Sequence, residues 1–116
     1  MRKMNVLLLT ACLLPLSSLA ADKMEMSHGE SSEAQQSYQK GMDKMHHDMM
    51  QGMIADDPDV AFAQGMTAHH QGAIDMAKTE LQHGKDPEMR KLAQQIIVAQ
   101  QPEIEQMQNW LKQHKK

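Results

Sequence analysis

The chain has 116 residues, with 12 basic and 15 acidic side chains, a formal charge of −3, one Cys and 13 Met. That length holds one small domain and excludes a doubly wound nucleotide-binding enzyme, a TIM barrel or any two-core architecture; the acidic balance argues against nucleic acid as a partner. Thirteen Met beside only three aromatic residues (Tyr38, Phe62 and Trp110) is unusual for a soluble domain and calls for a physical reason.

Residues 1–20 read as a signal peptide. Arg2 and Lys3 give a positive start, and Val6 to Leu16 form an apolar run too short to cross a bilayer. Ser18-Leu19-Ala20 then places small residues before a cleavage point at Ala21. The expectation is export to a bacterial periplasm, without a membrane span. An alternative is a lipoprotein anchored at Cys12, because Leu9-Thr10-Ala11-Cys12 resembles a lipoprotein box. Loss of residues 1–20 would leave no Cys, hence no disulfide in a compartment that permits them. Only Leu81, Leu92 and Leu111 would remain as Leu, so either Met fills the core or a bound group stabilises it.

Residues 21–31 are polar and predict a flexible tail, in which Met24, Met26 and His28 form a mobile candidate metal motif. Residues 32–116 predict a helical metal-binding domain. Ser32 with Gln35 resembles a capping box and starts a helix over about 33–54. Asp57 as N-cap and Pro58 in the first turn start a second, over about 58–83, which Gly84 stops. Asp86-Pro87-Glu88 repeats the start signal for a third, over about 87–113, with a kink expected at Pro102, whose ring meets the carbonyl of Val98. No segment alternates with period two. The fold class is all-α: a small antiparallel up-down-up bundle of three helices, with homo-oligomer formation left open.

Apolar stripes recur at helical spacing: Tyr38, Met42, Met45, His46, Met49, Met50 and Met53 in the first helix; Phe62, Met66, His69, Ala73, Met76 and Ala77 in the second, with His70 at its flank. The third carries Met89, Leu92, Ile96, Ala99, Met107 and Trp110. Folding the first two helices about residue 56 brings together residues whose numbers sum to about 112. Met42, Met45, His46, Met66, His69 and His70 then share one layer, and Glu103 of the third helix joins it. Thioether and imidazole suit Cu(I), and by the same softness Ag(I). The repeats Met42-x-x-Met45-His46 and Met66-x-x-His69-His70 put both donor types on one helical face, with Met49 added by His46-x-x-Met49. Glu103 is placed to orient a ligating His. A plain core accounts better for Met76, Met89 and Met107. His47 is expected to pair with Asp43, and Glu80 with Arg90.

Residues 62–111 carry Phe62, Met66-x-x-His69-His70, Ala73 and Met76, then Ile96, Gln100, Glu103-Ile104, Met107 and Trp110-Leu111. In this order and spacing they resemble the DUF family 305, which includes copper-binding (CopM-like) proteins. Residues 42–53 also resemble the Met/His motifs of SilE-like silver- and copper-binding proteins. The resemblance implies a ferritin-like helical bundle and copper binding outside the cytoplasm. It points to Met66, His69 and His70 in one motif and to Glu103 and Met107 in another. The expected function is a non-enzymatic periplasmic copper-binding protein for Cu(I), with Cu(II) and Ag(I) as alternatives. It would act as chaperone or buffer, delivering to a copper exporter or oxidase. Two rivals remain. One is a Spy-like envelope-stress holdase, because Met-rich surfaces bind promiscuously. The other is a ferritin-like di-metal oxidase, for which only Glu80-x-x-His83 and Glu25-x-x-His28 supply the motif.

Overall fold

A computed structural model describes residues 31–114; the signal segment, Cys12 and the tail motif of Met24, Met26 and His28 lie outside the described residues. Three helices follow in order: α1 (Glu33–Met53), α2 (Pro58–His83) and α3 (Pro87–His114). The all-α, antiparallel reading holds, and each helix boundary falls within one residue of expectation.

The ends form for the reasons legible in the sequence. Ser32 Oγ accepts from Gln35 N at 3.2 Å, and Gln35 Oε1 accepts from Ser32 N at 2.8 Å, closing the capping box. Asp57 Oδ1 accepts from the Asp59 and Val60 amides at 2.8 and 3.1 Å. Asp86 Oδ1 accepts from Met89 N at 2.9 Å. These carboxylates sit at positive helix ends and satisfy amides that have no partner inside the helix. Gly84 stops α2 by another route than a left-handed turn. Its φ is −74°, and the Glu80 side chain fills the space that a Cβ would need. α3 runs through Pro102 as one helix.

Helix α2 is the centre. It packs against both α1 and α3, and among the described residues α1 and α3 do not meet. Small residues line its α1 side: Met53 Cγ would lie 2.9 Å from a Cβ on Gly65, and Met45 Cγ 2.7 Å from one on Gly72. Two turns further, Ser37 Oγ bonds Thr79 Oγ1 at 2.8 Å. Apolar residues line the opposite side, where Ala63, Ile74 and Ala77 are buried with Ala93 and Ile104 of α3. At about 100° per residue, these two seams lie on nearly opposite sides of α2. The helices therefore form one flat layer.

Such a layer has two broad faces. One is polar: Lys40 and Lys44 of α1 share a shallow depression with Asp75, Lys78 and Gln82 of α2, and Gln64 shares another with Gln108 and Lys112 of α3. The other carries the Met stripes. Phe62 lines an open groove of about 330 Å³ with Met107 and Trp110, and Met66, His69, Ala73 and Met76 follow Phe62 along the same line of α2. The stripes read as core are thus one side of an open sheet of helices. Phe62 is 65% exposed and Met76 45% exposed, His69 is exposed, and α1 has no buried residue. His70, expected at the flank, is buried instead.

Two expected pairings are replaced. Asp43 accepts from Gln39 Nε2 at 2.8 Å rather than from His47. Arg90 does not pair with Glu80; its Nη1 donates to the carbonyls of Leu81 at 2.7 Å and Gly84 at 2.9 Å. These are unpaired carbonyls at the end of α2, so the guanidinium closes the helix end and ties α3 to it.

Candidate metal-binding face

The register between α1 and α2 decides which donors share a level. Ser37 meets Thr79, Gly41 approaches Asp75, Met45 rests on Gly72, and Met53 on Gly65. These residue numbers sum to 116–118, not the expected 112. The difference is about one helical turn. Residues 54–57 separate the two helices so that Gln64 is the first residue of α2 to meet α1, at Gly52, and the turns before it overhang the end of α1.

This correction changes the expected layer. His69 and His70 stand level with positions 48 and 47 of α1, so His46 and Met49 stand beside His69 on the Met-bearing face, while His70 turns toward α3. Met66 stands level with position 51. Met42 falls about a turn away, level with Asp75 and near Met76. Met45 turns into the α1–α2 seam, where its side chain occupies the space left by Gly72. Of the expected ligands, His46, Met49, Met66 and His69 thus lie together on one face, and Met42 and Met45 stand apart from them.

His70 is the most constrained of the set. It is 7% exposed, and its Nε2 meets Glu103 Oε2 of α3. An ionised carboxylate only accepts, so Nε2 carries the proton, and the neutral ring then has its lone pair on Nδ1. Nδ1 is buried and has no hydrogen-bond partner. Gln100 Oε1, one turn before Glu103 on α3, is likewise buried and unpartnered. Sequence spacing alone did not single out Gln100, which entered only through the family resemblance. Among the described residues no three His, Cys, Asp or Glu side chains gather into a metal cage. The groups shown around His70 are the Glu103 carboxylate and the His69 imidazole.

The remaining histidines do other work or stand elsewhere. His114 stacks on Trp110 with ring centres 4.1 Å apart, and its Nδ1 donates to the Trp110 carbonyl at 2.7 Å. His83 closes α2, and Glu80 is turned toward Gly84. The His69 ring stands edge-on to His70, with centroids 6.2 Å apart.

A single layer of three antiparallel helices, polar on one side and Met- and His-bearing on the other, defines a small all-α protein whose candidate chemistry is soft-donor binding. The chain belongs to the DUF305 family, a domain of unknown function, which it matches over residues 9–111. It is also 40% identical over 57 residues to an uncharacterized protein of Acanthamoeba polyphaga mimivirus, a match covering 49% of this chain and 38% of that protein. No described helix is long and apolar enough to cross a membrane.

Proposed function

We propose that the protein binds a soft metal ion, Cu(I) first, with Ag(I) and Cu(II) as alternatives, and acts as a chaperone or buffer in the periplasm. The observation that carries this reading is His70. Its ring is fixed through Nε2 by Glu103, and its second nitrogen is buried with no hydrogen-bond partner. A carboxylate–histidine pair of this kind orients a ring and raises its basicity as a ligand. Met66 and His69 from α2 and His46 and Met49 from α1 are the further donors. Thioethers favour the cuprous ion over harder cations and form no disulfides. The CopM-like and SilE-like resemblances support the same reading, as does the expected export signal. Delivery to an exporter or oxidase follows as the role of such a carrier.

Anaerobic Cu(I) titration against a competing chelator, with native mass spectrometry, tests this. One tightly retained ion per chain is the expected result, with weaker sites in residues 21–31. Replacing His69 and His70 with Ala should lower affinity more than replacing Met76 and Met107. Loss of all copper on desalting, or equal effects of the four substitutions, would return these histidines to a purely structural role. The exposed Met face also favours the holdase reading; suppression of client aggregation by metal-free protein would support it.

A further inference from the structure

We infer that the Met-bearing face is a self-association surface, covered in the working protein by the same face of a second copy of this chain. The inference rests on packing and not on the metal reading.

The first argument is the shortage of core. Only five apolar residues are buried among the described residues, and three of them are Ala. A domain of this size needs far more apolar burial than that to offset its chain entropy. The large side chains able to supply it lie in the open: Phe62, Met76, Met42 and Leu92 are each more than two-fifths exposed.

The second argument is sidedness. Helices meant to stay in water on both faces of the layer would be polar on both, but here all three stripes emerge on one face. The lysines cluster on the other, with Lys40, Lys44 and Lys78 around one depression. The central acidic group on the Met face is Glu103, and it is engaged by His70. Two copies meeting there bring no unpaired carboxylate to the centre of the face; Asp59, beside Phe62, and Glu80 lie toward its ends.

The third argument is area. The three helices overlap over about twenty residues of α2, roughly 30 Å at 1.5 Å per residue, and stand about 9 Å apart. One face therefore measures roughly 800 Å², which is what each partner contributes to a standard stable interface. A two-fold pairing closes on itself and leaves both polar faces in water. An extended segment of ten residues, such as 21–30, covers only a narrow strip of such a face. Those residues offer two Met among polar and charged neighbours. The second copy is therefore the occupant. Under the proposed function, His69 then lies inside the interface, where an ion can take donors from both copies.

Sedimentation equilibrium of residues 21–116 at micromolar concentrations, with a copper chelator present, tests the pairing apart from metal. The expected mass is that of two chains. Phe62→Glu and Met76→Glu place a charge in a dry interface and should weaken association about a hundredfold or more; the helical circular dichroism signal should persist, because both positions are exposed in the single chain. Gln82→Glu, on the polar face, should leave the mass unchanged. Peroxide should oxidise Met76 more slowly in the wild type than in Phe62→Glu. A one-chain mass for the wild type overturns the inference, including the case in which Met76 is protected within a single chain. A two-chain mass indifferent to both glutamates overturns it as well. Copper titration of the same samples keeps the two readings separate, since either can fail while the other stands.

Discussion

Gly72 is the point at which α1 can be loosened without touching α3. A Cβ there would lie 2.7 Å from Met45 Cγ and 3.0 Å from Met45 Cβ, too near the backbone for rotation alone to relieve. Overpacking of this kind costs about 1–3 kcal/mol, and removing a glycine from a helix interior returns about 1 kcal/mol. Gly72→Ala should therefore lose about 1 kcal/mol. Gly72→Val adds two methyl groups to the same seam and regains less propensity, for a net loss of about 2–3 kcal/mol. That loss falls on α1, which has no buried residue and touches only α2. α1 contributes 21 of the 75 helical residues. In a urea titration, Gly72→Val should lose about a quarter of its far-ultraviolet helical signal before the fluorescence of Trp110, on α3, responds. Gly41→Ala, in the same seam, is the control. Its Cβ would lie 3.8 Å from Asp75 Cβ, an ordinary contact, so the substitution should stabilise by about 0.5–1 kcal/mol. A wild-type transition for Gly72→Val, or equal damage from Gly41→Ala, would refute the account of this seam.

Other perturbations have equally definite outcomes. Ser32→Ala removes one arm of the capping box and should cost about 1 kcal/mol, seen as faster amide exchange in the first turn of α1. Arg90→Met removes two charge-assisted bonds to the end of α2 and should cost about 2 kcal/mol, lowering the urea midpoint by both probes together. Pro102→Ala restores a helical amide near the exposed Val98 and should raise stability by about 1–3 kcal/mol, measured in the same titration. Asp48 holds the Lys44 ammonium above the usual lysine range through a hydrogen bond and its charge. That stabilisation is present below the ordinary lysine pKa and fades as pH rises through the raised one. Asp48→Asn should thus lower thermal stability between pH 6 and 9 evenly and only slightly, because the pair lies at the surface.

Helix existence and ends were legible because caps act locally: Ser32, Asp57, Asp86 and Gly84 each work within four residues. Tertiary arrangement was only half legible. The stripe from Phe62 through Met76 has the spacing of a core face, and periodicity cannot say whether another element covers it. The cue to the true seam was the run Gly65, Gly72, Thr79, small residues seven apart, which lets α1 approach closely. His70 looked peripheral because the stripe was drawn through His69; the α3 side of α2 is marked by Ala63, Ile74 and Ala77 instead. The register differs by about a turn from that of a symmetric turn over residues 54–57, a geometry that no side chain there dictates. The nearness of Glu103 to a histidine survived because the α2–α3 turn is short and tied by Arg90.

Under the proposed function, the docking of α1 on α2 alone would bear on strength of binding. Donors at His46 and Met49 ride on that helix, and those at Met66, His69 and His70 do not. An ion that needs both groups recognises only chains in which α1 is docked, so its apparent dissociation constant is the intrinsic one divided by the docked fraction. A chain docked one time in ten would bind about tenfold more weakly than its geometry allows. Under that reading, the small residues Gly65, Gly72 and Thr79 along the α1–α2 seam would set how readily a bound ion is surrendered.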